Sequence, residues 1–160
     1  PVGETGLIYF SDGPSFEYNN DLIKTQESRN QYDWSTMGDI GHINQDGYLF
    51  ITDRKANMII SGGVNIYPQE AENRLLSHPE IKDVAVIGVP NSDFGEEVKG
   101  IVQLIDPQKA GEVLAQELIE YCWETVSKIK SPRSIDFVTE LPRRENGKLY
   151  KKLLKQQYRS

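Results

Sequence analysis

In the stretch LPRRENGKLYKKLL (residues 141–154), Lys148 directly follows Gly147 and stands apart from the lysines behind it. Glycine permits a tight reversal of the backbone, and an ammonium at the exit of such a turn is a mobile point charge with three donors. Basic residues are concentrated after Lys128, although the chain has a formal net charge of -6. A local anion site is therefore compatible with a globally acidic protein, whereas a broad nucleic-acid-binding face is not. In STMGDIG, Asp39 lies between two glycines. A carboxylate on a glycine-flanked strand can accept two hydrogen bonds from a diol such as a ribose, and an aspartate capping a bulge or turn would read the same way. In TDRKANMIISGGVNIYP, the Gly62-Gly63 pair leaves a loop without side chains. Both a plain tight turn and the close approach of another molecule fit it. Asp53, Arg54 and Lys55 interrupt two hydrophobic runs, as a solvated turn or a short polar linker at a domain junction would. His42 and His78 have no spaced partner that would make a metal site or serve a nucleophile. The single cysteine, Cys122, excludes an internal disulfide framework and a cysteine-based zinc site.

The elements that must position these residues fall into two unequal parts. A chain of 160 residues with 38% hydrophobic content is long enough for one domain, or one domain and a piece of another. Up to residue 52, the segments GLIYFS, WSTMGDIGHI and GYLFIT read as strands, with a reverse turn at Asp46-Gly47. PSFEYNNDLIKTQESRNQ between them is polar and rich in turn residues, and this part can scarcely hold itself together alone. From Asp53 onward the pattern alternates: strand NMIIS, a glycine loop, helix PQEAENRLLSH, strands DVAVIGVP and KGIVQLID, helix AGEVLAQELIEYCWETV, strand SIDFVTE and a closing helix. Pro68 suits a helix start, where its missing N–H costs little. The expectation is a compact α+β domain with helices over a small sheet. Lys151, Lys152 and Lys155 read as the solvated face of the amphipathic closing helix. No apolar run approaches the roughly 18 residues of a membrane span and no signal-peptide pattern occurs, so a soluble protein in a reducing, cytoplasmic setting is expected. The start PVGETGLIYF, without an initiating Met and in mid-strand by its look, leads us to expect that the chain was cut from something longer.

Taken together, TMGDIGHINQDGYLFITDRKANMIISGGVNIYPQEAE and LPRRENGKLYKKLL resemble the adenylate-forming superfamily of acyl-CoA synthetases, peptide-synthetase adenylation domains and firefly luciferase. TDRKANMIISGGVNIYP looks most like the acyl-CoA synthetase branch. The resemblance implies that residues 1–52 are the end of the large N-terminal AMP-binding domain, a partial β-barrel-like segment. Residues 53–55 would then be a hinge and 56–160 a mobile C-terminal domain. By the same resemblance Asp39 would hold the ribose hydroxyls of ATP or AMP, with Ser35-Thr36-Met37 where an arginine before a threonine is usual. Arg54 would contact the nucleotide near its ribose and phosphate, Asp53 would be the hinge position, and Gly62 and Gly63 would line the pantetheine path. Lys148 would touch the substrate carboxylate and the α-phosphate during adenylation, in a motif that has Arg144 where Thr is usual. The implied substrates are a carboxylic acid, ATP with Mg2+, and CoA, without a tightly bound cofactor, a nucleic-acid partner or a protein metal site. Nothing like the family's phosphate loop, SGTTGxPK, occurs in this sequence. Catalysis would therefore need an N-terminal domain supplied from outside these residues. The alternative is a stand-alone binding module that docks on a separate adenylation domain or a carrier protein.

Overall fold

Strand pairing in the first unit of the chain, Pro1–Ala56, joins β1 (Gly6–Leu7), β2 (Asp39–Ile43) and β3 (Leu49–Arg54) in the antiparallel order β1-β2-β3. The computed structural model describes residues 2–13 and 16–158. The β2–β3 turn forms at the Asp46-Gly47 position because the Asn44 side chain accepts the N–H groups of Asp46 at 3.1 Å and Tyr48 at 2.9 Å. Two features differ from the sequence expectation. The polar stretch after β1 contains a short helix, α1 (Leu22–Glu27), started by Asp21, whose carboxylate accepts the Lys24 N–H at 2.9 Å. Asp53 and Arg54 are also not a linker that follows a strand, because they are the last two residues of β3, paired with Ile40 and Asp39. Backbone pairing is indifferent to side-chain charge, and Asp53 is buried with its carboxylate accepting the Arg54 N–H at 2.6 Å. A 3-10 turn, Lys55–Asn57, follows. The first unit has little core: Ile40 is its one buried hydrophobic residue among those described, while Leu49, Phe50 and Ile51 of β3 are exposed.

The second unit, Asn57–Ser160, is built on a five-stranded sheet of β4 (Ile59–Ser61), β5 (Val64–Ile66), β6 (Ile81–Asn91), β7 (Gly95–Leu104) and β8 (Ser134–Val138). Its order is β5-β4-β7-β6, with β8 parallel to β7 and the other pairings antiparallel. β6 and β7 read as near-continuous apolar runs because both faces of the sheet are covered. On one face Val84, Val86, Val98 and Val102 pack against Ala71 and Leu75 of α2 (Pro68–Leu76) and Leu118 and Cys122 of α3 (Glu112–Trp123). On the other, Ala85, Ile87, Val89 and Ile101 pack with Leu141 and with Leu154 of α4 (Lys151–Gln157). Each fully buried aliphatic side chain is worth about 1.5–3 kcal/mol, and alternating them along β6 feeds both clusters. The α+β layout with helices on a small sheet is as the sequence implied.

β6 lies at the end of the sheet, and an open strand edge needs cover. Glu72 of α2 supplies part of it, its Oε1 accepting the Val86 N–H at 2.7 Å. The same oxygen meets Lys151 Nζ of α4 at 2.7 Å, with side-chain exposures of 9% and 11%. Lys151 is thus not on a solvated face, which corrects the expectation for the closing helix: the carboxylate that claims it comes from a helix far upstream. Lys152, next to it, is exposed. At the other end of α4, Tyr158 donates its hydroxyl to Asp136 Oδ2 at 2.7 Å while Lys99 Nζ lies 2.8 Å from Asp136 Oδ1. Burial would push the Asp136 carboxyl up, but the hydrogen bonds from Lys99 and Tyr158 outweigh it and hold the group below its ordinary value. Burial, the bond to Asp136 and the carboxylate charge push the Tyr158 hydroxyl up to about 12.

Removing one partner of a buried ion pair leaves the other charged and desolvated. Lys151→Ala should therefore destabilise the unit by about 3–5 kcal/mol, and Lys152→Ala by no more than about 0.5 kcal/mol, in urea unfolding; equal effects would refute the assignment of Lys151. Tyr158 has its pKa raised on folding, so its contribution is complete below its ordinary value of 10.0 and is lost as pH climbs from there towards about 12. The stability deficit of Tyr158→Phe should accordingly be full at neutral pH and shrink across that alkaline window. A deficit that stays constant over the window would rule out this linkage.

Candidate functional site

In the first unit, the approach to Asp39 is shaped by Thr36, a buried residue whose hydroxyl accepts the Gly38 N–H at 3.0 Å. Its own N–H donates to the Ser28 carbonyl at 2.8 Å. The chain then enters β2 with Asp39 directly opposite Arg54 of β3, and Arg54 Nε lies 3.4 Å from Asp39 Oδ1. Two residues singled out from separate motifs are thus neighbours. The bulge in this pairing falls just beyond them, between Ile40 and Gly41. The Asp39 side chain is 23% exposed and that of Arg54 65%. An ion pair this open adds little stability. Its chemical capacity is a carboxylate that accepts hydroxyl donors beside a forked, permanent cation that suits phosphate oxygens.

In the second unit, Gly62 and Gly63 form the two-residue turn between β4 and β5, with Ser61 paired to Val64. Both have positive φ, 56° and 79°, as the type I′ form of a two-residue hairpin turn requires. The tight-turn reading is therefore correct as geometry, and it leaves room for another use. A side chain at Gly62 would come within 3.3 Å of the Phe94 ring, whereas one at Gly63 would meet nothing within 4 Å. The turn is held to the β6–β7 connection by the Gly62 N–H, which donates to the Phe94 carbonyl at 2.9 Å.

Lys148 lies on a second, separate turn of the same unit. Arg143 and Leu149 form an antiparallel bridge, the Arg144 N–H donates to the Lys148 carbonyl at 2.9 Å, and the Gly147 N–H donates to the Arg144 carbonyl at 2.8 Å. Gly147 closes the reversal at φ 77°. Leu149, the next residue after Lys148, packs against the second cluster beneath the sheet. The Lys148 side chain is left exposed, and its ammonium makes no ion pair or hydrogen bond among the described residues. Arg143 was not singled out from the sequence. It bonds Asp83 of β6 through Nε at 3.1 Å and through Nη2, and it donates from Nη1 to the Gly147 carbonyl at 2.7 Å. A hydrophobic pattern carries no signal for such a contact, whose partners are distant in sequence.

The remaining candidates are structural. His78 is buried edge-on against the Tyr121 ring, and His42 stacks on Phe50. Cys122 is buried in the first cluster, where burial pushes its thiol up and makes it a packing group rather than a nucleophile.

Comparison with known proteins places these residues in a family. Residues 70–148 match the family described as the AMP-binding enzyme C-terminal domain. A long-chain-fatty-acid–CoA ligase of Mycobacterium tuberculosis is 38% identical over 158 residues, covering 98% of this chain and 30% of the relative. A 2-succinylbenzoate–CoA ligase of Bacillus cereus is 36% identical over 156 residues, covering 98% and 31%. The crystal structure of ATP-bound MatB from Rhodopseudomonas palustris superposes with a TM-score of 0.87 at 31% identity, over 100% of this chain and 31% of that one. The o-succinylbenzoate CoA synthetase of Bacillus subtilis, in complex with its acyl-adenylate intermediate, gives 0.82 at 33% identity, over 97% and 31%. The chain thus spans about 30% of the length of the relatives it matches. The family match, the identity along nearly all of the chain and the shared fold together show that this protein belongs to the adenylate-forming superfamily and contains its AMP-binding C-terminal domain.

Proposed function

We propose that the chain is the C-terminal part of an AMP-forming acid–thiol ligase. In the first half-reaction a carboxylate oxygen attacks the α-phosphate of ATP, giving acyl-AMP and expelling pyrophosphate. In the second, the CoA thiol attacks the acyl carbon, releasing AMP and leaving the thioester. The observation that best supports this reading is the Lys148 ammonium, exposed and without a partner among the described residues, on a turn whose backbone is fixed. Such a charge suits an anionic carboxylate and the negative charge that builds on the α-phosphate oxygens in the transition state.

Asp39 is assigned to the ribose hydroxyls and Arg54 to the nucleotide between ribose and phosphate. Gly62 and Gly63 line the pantetheine path, an assignment supported by the free space beyond Gly63. On this reading residues 1–52 complete the large AMP-binding domain, 53–55 with Asp53 form the hinge, and 56–160 form the mobile domain. The exposed Leu49, Phe50 and Ile51 favour a first unit that belongs with a larger domain over a stand-alone module. Relatives that are CoA ligases favour CoA over a carrier protein as the acceptor. The Mg2+ of this reaction would arrive on the ATP phosphates; among the described residues no group of three or more His, Cys, Asp or Glu could hold a metal ion. No helix among these residues is long and apolar enough to cross a membrane; a cytoplasmic setting, where ATP and CoA are both present, is part of the same proposal.

The isolated chain should show no carboxylate-dependent ATP–pyrophosphate exchange. In the intact enzyme, Lys148→Ala should slow adenylate formation by a factor on the order of 10² to 10³, the loss of one contact worth about 3–4 kcal/mol, while thioester formation from supplied acyl-AMP persists. Gly63→Ala and Gly63→Leu share the strain of a positive φ and differ in bulk, so only the leucine should strongly obstruct the second step. Separate rates of pyrophosphate release and of CoA-dependent turnover from pre-formed adenylate decide the matter. Equal loss of both steps in the Lys148 and Gly63 variants would overturn the division of labour.

A further inference from the structure

The peptide bond that begins Lys148 is held at both of its polar atoms. Its oxygen, the Gly147 carbonyl, accepts from Arg143 Nη1 at 2.7 Å, and its N–H, on Lys148, donates to Asn146 Oδ1 at 3.1 Å. A peptide is planar, so fixing both ends fixes the plane from which the Lys148 Cα departs. Asn146 belongs to the turn itself and would move with it. Arg143 ties the turn to something rigid, because its Nε and Nη2 grip Asp83 Oδ2 on β6. The other oxygen of Asp83, Oδ1, accepts the Val84 N–H at 2.9 Å, which fastens the carboxylate to the strand. A continuous chain of hydrogen bonds therefore runs from the backbone of β6 through Asp83 and Arg143 to the Lys148 peptide.

We infer that Arg143, held by Asp83, is a positioning residue for Lys148. The inference rests on the adenylation role proposed above for that lysine. The exposures argue against a mainly stabilising role: the side chains of Arg143 and Asp83 are 45% and 20% exposed, and an ion pair that open adds little to folding. Position matters far more to a point charge on a flexible stem, since a misplacement of about 1 Å can cost on the order of 10²-fold in rate. Lysine cannot replace arginine here, because three bonds in two directions need the planar fork of the guanidinium.

The test uses the intact enzyme with Arg143→Ala, Arg143→Lys, Lys148→Ala and the double variant Arg143→Ala/Lys148→Ala. Both Arg143 variants should slow adenylate formation by about 10-fold to 10²-fold, leave thioester formation from supplied acyl-AMP unchanged and barely move the urea midpoint. Hydrogen exchange at the Lys148 amide should accelerate in Arg143→Ala. In the Lys148→Ala background, Arg143→Ala should add no further loss, because there is no longer an ammonium to position. The inference is overturned by equal losses in both half-reactions, by a full additional loss in the double variant, or by wild-type adenylation in Arg143→Lys. Lys148→Ala alone reports on the underlying reading. If it leaves adenylation intact, that reading fails and the inference with it; if it slows adenylation and Arg143→Ala does not, only the inference fails.

Discussion

The carboxylate of Glu72 is the constraint on which the second unit depends. It is carried by α2 on one face of the sheet, accepts a backbone N–H from the end strand β6, and neutralises Lys151 of α4, whose Leu154 lies on the opposite face. One side chain thereby satisfies a backbone N–H on the sheet's edge and clasps together two helices that the sheet would otherwise separate. The geometry also explains why a buried charge pair is tolerated. Each partner on its own would be a desolvated ion, but the shared oxygen is also hydrogen-bonded by the strand, so little of its bonding capacity is left unmet.

α4 begins three residues after Lys148, so the clasp on Lys151 fixes where the lysine turn ends, while Arg143 and the Leu149 contact fix its body. The glycine turn at 62–63 hangs from the same sheet by another route, through β4, which pairs with β7 at Ser61 and Gly95. β8, which leads toward the lysine turn, pairs with β7 over Lys99–Gln103. Both chemically equipped loops are therefore outgrowths of one strand's neighbours and keep a fixed relation to each other. In the two-step proposal such a unit would move as a body, so that one loop or the other is presented to the reaction centre.

Much of this was legible in the sequence. The apolar runs of β6 and β7, the proline at the start of α2 and the glycine before Lys148 all report local requirements, and the motif order identified the family. What stayed hidden depended on partners far apart along the chain. The sequence KKLLKQQ shows an amphipathic helix, but nothing in it says that Lys151 rather than Lys152 finds a carboxylate, because Glu72 lies on a distant helix. Asp53 and Arg54 look like a break because their side chains are charged, yet the backbone continues to pair through them. Strand β5 is only three residues long and directly follows the glycine pair, so it has too little pattern to be read. Asp39 and Arg54 were each picked out from their own motif, and only the β2–β3 register shows that they face each other.

On the proposed reading Lys148 is the cation brought to the acyl-adenylate, while Lys151 serves the fold. Competitive labelling of lysines in the intact enzyme with an amine-selective acylating reagent, read by mass spectrometry with and without a non-hydrolysable acyl-adenylate analogue, tests this directly. Lys148 and Lys152 are both exposed and close in the chain, so Lys152 serves as an internal control. If Lys148 contacts the acyl-adenylate, the analogue should strongly protect Lys148 and leave labelling of Lys152 unchanged. Labelling of Lys148 that is indifferent to the analogue, or protection of the two lysines alike, would contradict it.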